Sequence, residues 1–148
     1  MLSKDLRTYL AKELGWEYAT SLSPDRAIQA RILLLEHSIN PSYSFFDYMT
    51  HYNSQCSQGR THLTSFGDVL KLLQDMQWNN QLYAMGLAKN YIAMKETHGW
   101  LFLYQKDEDA VILNDDLDIQ RINLEDFDYY WPSFNHFLRY FFGLSKSK

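Results

Sequence analysis

The sequence predicts an α+β domain, and three observations carry that expectation. Apolar residues recur at helical spacing through the first half, the period falls to two after about residue 90, and a helical stripe closes the chain. At 148 residues, with 46% hydrophobic content, the chain reads as one domain, 1–148, with no internal repeat or linker. The expected order is N-terminal helices, an antiparallel β-meander and a closing C-terminal helix.

Leu2, Leu6, Tyr9, Leu10 and Leu14 lie on one helical face, and Gly15 stands where a left-handed cap would end it. Ser23-Pro24-Asp25 announces a second helix running to about Glu36. The serine can accept from a first-turn amide, proline fits that turn, and aspartate suits the positive helix end. Asn40-Pro41 repeats the signal for a third helix, with Phe45, Phe46, Met49 and Tyr52 inward. The polar run Asn53 to Thr61 reads as a loop. Ser65-Phe66-Gly67-Asp68 resembles a capping box ahead of Val69, Leu70, Leu72, Leu73 and Met76, predicting a fourth helix that ends near Asn80.

Tyr91–Lys95 and Trp100–Tyr104 then read as strands joined through His98-Gly99. Ala110–Leu113 reads as a third strand and Ile119–Ile122 as a short fourth. The connections are too short for crossover helices, so the strands should run antiparallel. Pro132-Ser133 opens the last helix, with Phe134, Phe137, Leu138, Phe141 and Leu144 on one face.

Charge is unevenly spread. From Lys106 to Asp128, nine acids face two cations, a net of −7, while the rest of the chain carries +3. Such a stretch repels phosphates, so nucleic acid is not an expected partner, and a basic protein is. No apolar run approaches the roughly 18 residues of a membrane span, so no membrane partner is expected either. The N-terminus lacks the apolar core of a signal peptide, and the lone Cys56 cannot form an internal disulfide; cytoplasmic residence is the expectation. Aromatic content is 16%, with 11 Tyr, 9 Phe and 4 Trp, which suits a bulky core or a binding face equally.

Motifs for chemistry are sparse. His51, Cys56 and His62 match no zinc spacing and lack a fourth ligand, and His98 and His136 have no orienting carboxylate in sequence. No phosphate-binding glycine loop or nucleophile elbow occurs. Asn114, Asp116, Asp118 and Glu125 fall at positions 1, 3, 5 and 12 of an EF-hand loop, but Ile119 takes the place of its glycine and a strand precedes it. No metal or other cofactor is expected. The run Phe127-Asp128-Tyr129-Tyr130-Trp131-Pro132 serves either as packing for the last helix or as an aromatic anchor beside acids.

Three segments carry a family resemblance. They are Ile39 to Met49 with Tyr52-Asn53, the meander from Tyr91 to Leu113, and Trp131-Pro132-Ser133-Phe134-Asn135-His136-Phe137-Leu138. In this order the sequence resembles the SUKH superfamily, whose members include yeast cell-wall regulators and many bacterial toxin-immunity proteins. The resemblance implies a non-enzymatic binding domain, most often one that neutralises a partner toxin, and carries over no catalytic residue.

The expected function is therefore protein binding. The candidate contacts are Asp107, Glu108, Asp109, Asp115, Asp116, Asp118, Asp126 and Asp128, with Tyr129 and Tyr130 as anchors. The expected partner is a basic toxin domain such as a nuclease, whose cleft an acidic patch would fill. Two alternatives stay open: a small enzyme using scattered carboxylates and histidines, and a homo-oligomeric structural subunit.

Overall fold

The computed structural model describes residues 1–11, 22–52, 68–97, 99–115 and 118–144. In chain order these form α1 (Lys4–Tyr9), α2 (Pro24–Glu36), α3 (Ser44–His51), α4 (Val69–Gln74) and α5 (Gln77–Ala84). β1 (Tyr91–Thr97), β2 (Trp100–Gln105), β3 (Ala110–Asn114), α6 (Ile119–Asn123), β4 (Tyr129–Trp131) and α7 (Phe134–Phe141) follow. The strands make one antiparallel sheet in the order β1-β2-β3-β4, giving the expected α+β class. Leu14, Gly15, the run Asn53–Thr61 with Cys56, His62, Ser65–Gly67, His98 and Asp116 lie outside the described residues.

The sheet is covered on both faces, which is why β2 and β3 read as continuous apolar runs. Ile92, Met94, Phe102, Tyr104, Val111 and Leu113 pack against Leu6, Leu34, Phe45, Leu73, Phe134 and Phe137 from α1, α2, α3, α4 and α7. Tyr91, Ala93, Leu101, Leu103 and Ile112 pack against Leu82 of α5 and Ile119 and Ile122 of α6. Phe45 stacks on Tyr104 at 3.8 Å and meets Phe134 edge-on at 5.1 Å, so much of the aromatic surplus is core.

Two helix starts follow the local signals. The hydroxyls of Ser23 and Ser133 accept from the amides of Arg26 and His136 at 3.3 and 3.2 Å. Asp68 itself caps α4, accepting from the Lys71 amide. Other elements depart from expectation, each with a traceable cause. The Asn40 side chain closes a turn by accepting from the amide and hydroxyl of Ser42, so α3 starts only at Ser44. The fourth predicted helix is two helices: α4 stops at Asp75, whose carboxylate accepts from the Gln77 amide and opens α5. Ile119–Ile122 is helical, because Asp118 accepts from the Arg121 amide as an N-cap. The fourth strand is instead Tyr129–Trp131, paired with Leu113, Ile112 and Val111.

Side-chain amides pin the backbone at several joints. Asn79, Asn114, Asn123 and Asn135 each donate to one main-chain carbonyl and accept from one main-chain N–H. Asn114, 0% exposed, holds Asp126 and Asp128 in this way. Its amide is thus committed to the entry of β4 rather than to a cation. No helix among the described residues is long and apolar enough to cross a membrane.

Candidate functional site

β4 is three residues long, followed at once by Pro132, and forms one edge of the sheet. Both features discourage pairing with another strand, so a contact here would run through side chains. Its residues alternate across the sheet. Trp131 packs into the core beside α7, at 5.3 Å from Phe137, and Tyr129 leans on Trp131 and on Trp100. Tyr130 turns to the α5/α6 face and lies flat on Phe127, with ring centroids 5.8 Å apart. Tyr129 and Tyr130 remain 49% and 46% exposed, so each offers an aromatic surface braced by its neighbouring rings.

The predicted acids divide into distinct roles. Asp109 does not belong to the surface. It is buried, and its carboxylate accepts from the amides of Ser44 and Phe45 and from the hydroxyls of Ser44 and Tyr104. Burial, reinforced by the charge of Asp109, holds the Tyr104 phenol far above the ordinary range. Asp118 is spent in part on capping α6.

Arg121 draws two further acids together, donating to Asp126 at 3.0 Å and to Asp128 at 2.9 Å. The Asp115 amide also donates to Asp128, at 2.7 Å. That amide bond first, and Arg121 second, hold the Asp128 carboxyl below the usual carboxylate range. The charge of this group is therefore partly cancelled within the chain. Asp115 is exposed beside it, and Asp116 lies outside the described residues.

Asp107 and Glu108 sit in the β2–β3 turn, at the end of the sheet where Trp131 pairs with Val111. The Tyr43 hydroxyl donates to the Asp107 carbonyl, and Asn90 donates to its carboxylate. Gln105 holds Glu108 twice, accepting from its amide and donating to its carboxylate. The structure thus gathers Glu108, Tyr129, Tyr130, Asp126 and Asp128 around one strand and removes Asp109. The acids lie at both ends of β4 rather than in one block.

Glu125 is the acid that charge spacing alone does not distinguish. It sits just after α6 with φ of 60°, in the left-handed region, and two residues before Phe127. Among the described residues, no group of three His, Cys, Asp or Glu is placed to hold a metal ion. A groove between α2 and α4, lined by Arg26, Ala30, Leu33, Leu70 and Lys71, includes none of the predicted contacts. No family model matches the chain, and neither a curated protein nor a solved structure does.

Proposed function

We propose that this chain is a protein-binding module that meets a basic partner through the acidic, tyrosine-bearing surface around β4. The observation that carries the reading is the pair of half-exposed tyrosines on an edge strand, braced by neighbouring rings and flanked by carboxylates at both strand ends. Tyrosine supplies large contact area at little entropic cost, and surrounding charge steers an opposite partner. On the SUKH resemblance, the specific form of this proposal is a cytoplasmic immunity protein that neutralises a toxin domain such as a nuclease.

The test is titration of the chain against the product of the neighbouring reading frame. Affinity is expected to fall about tenfold or more between roughly 50 and 500 mM salt, since screening shortens the reach of surface charge. An affinity that ignores ionic strength would sink the charge-led contact.

Self-association is a second reading, and one helix favours it. Ile28, Ile32 and Leu35 follow i, i+4, i+7 spacing along α2 and are 46–60% exposed, an aliphatic stripe of the kind that marks an interface. Solution mass measured across protein concentrations discriminates the two.

A further inference from the structure

Beside β4, on the face that carries α5 and α6, rings from β1, β4 and the segment after α6 pack together, and Glu108 and Glu125 stand on the turns that flank them. Phe127 meets the buried Tyr91 ring edge-on at 6.5 Å and lies parallel to Tyr130, so the rings form a fixed wall with Tyr130 outermost. Glu108 reaches this face through Gln105, whose side chain shares it with Leu103 and Ile112, the latter opposite Tyr130. Glu125 approaches from the end of α6. Burial first, and then the charges of both acids, raise the phenol pKa of Tyr91 and of Tyr130. Neither acid has an ion-pair partner among the described residues, unlike Asp126 and Asp128.

Glu125 also breaks a local rule. After α2, α5, α6 and α7 the chain makes the same cap, in which the third residue past the helix donates back to a carbonyl five earlier: Ile39 to Leu34, Leu87 to Leu82, Asp126 to Arg121 and Leu144 to Arg139. The left-handed position of that cap is Gly86 after α5 and Gly143 after α7, but Ser38 after α2 and Glu125 after α6. A glutamate there is strained relative to glycine.

We infer that this notch receives an arginine side chain of the protein partner, its guanidinium lying on the Tyr130 ring between the Glu108 and Glu125 carboxylates. The inference rests on the protein-binding reading for the source of the arginine. The chemistry favours guanidinium: it is planar, weakly hydrated, stacks on aromatic rings and presents donors along its edges to carboxylates. Calcium or magnesium would need about six oxygen ligands, and among the described residues no three His, Cys, Asp or Glu are placed to hold a metal ion.

The test uses the capped tripeptide acetyl-Gly-Arg-Gly-amide, with Lys and Gln versions, followed by NMR of the Tyr130 and Phe127 ring protons. The arginyl peptide is expected to shift both rings saturably, the lysyl peptide more weakly and the glutaminyl peptide not at all. Glu125→Gly should weaken arginyl binding about threefold or more while raising the thermal midpoint by about 2 °C through relief of the cap. Ser38→Gly, at the same cap position of α2, should give a similar rise and leave binding unchanged. Equal shifts with all three peptides, or full arginyl binding by Glu125→Gly, would overturn the notch. A basic partner that binds the double variant Glu108→Gln, Tyr130→Ser with full affinity would overturn it too, yet leave the protein-binding reading standing. Arginyl binding without any basic protein partner would support the notch and defeat that reading instead.

Discussion

Replacing Asp109 with alanine is expected to destabilise the fold by about 3 kcal/mol or more, measured as a drop in urea midpoint. The carboxylate is 6% exposed and serves four donors. Oδ2 accepts from the Ser44 amide at 3.0 Å and its hydroxyl at 2.5 Å; Oδ1 accepts from the Phe45 amide at 3.2 Å and the Tyr104 hydroxyl at 2.6 Å. Ser44 Oγ in turn accepts from the Asn135 amide at the start of α7. One side chain from the β2–β3 turn thus caps α3 and ties it to β2 and α7. Alanine leaves the donors buried and unpaired, at about 1–3 kcal/mol each before relaxation. Asp109 also has φ of 59°, so alanine adds strain that glycine does not. Asp109→Gly should therefore recover about 1 kcal/mol of the loss and isolate the hydrogen-bonding part. The exposed neighbour gives the control: Asp107→Ala removes one long bond from Asn90 and should cost less than about 1 kcal/mol. Equal losses at 107 and 109 would refute the capping role.

That aspartate also shows where the sequence was readable and where it was not. The starts of α2 and α7 were legible because Ser23 and Ser133 sit three residues from the amides they cap. The start of α3 was not, because its cap arrives from 64 or 65 residues away. As one acid among nine, Asp109 looks like surface charge until the fold turns it inward. Asp118 and Asp75 misled for a related reason: each is a capping residue whose effect on the backbone outweighs the pattern around it. β2 and β3 were legible as short, strongly apolar runs between turns, although cover on both faces of the sheet erases the period of two. Within the candidate site, the tyrosines and the net acidity were visible in composition. Which acids Arg121 occupies, and that Tyr130 lies on Phe127, depend on tertiary placement.

Asn79→Ala is expected to cost about 2–4 kcal/mol and to make the protein associate as concentration rises, because this residue closes the other edge of the sheet. The Lys106 amide donates to the Asn90 carbonyl, which makes Tyr91 and Gln105 a pair without mutual hydrogen bonds. By alternation, the main-chain groups of Tyr91 and Ala93 point away from β2. Asn79, 0% exposed, meets Ala93 like a neighbouring strand: Oδ1 accepts from its N–H at 2.7 Å and Nδ2 donates to its carbonyl at 3.2 Å. The Tyr83 hydroxyl covers the Tyr91 carbonyl at 2.6 Å. Alanine at 79 orphans a buried donor and a buried acceptor together, whereas Tyr83→Phe removes one bond from a partly exposed hydroxyl and should cost about 1 kcal/mol. Asn123→Ala breaks the same kind of two-point clamp, on Gly86 and Ala88, where water can replace it, and should cost less than Asn79→Ala. The order of urea midpoints and the solution mass of Asn79→Ala check the argument. A monomeric Asn79→Ala no less stable than Asn123→Ala would show that α5 merely lies beside β1 and does not seal it.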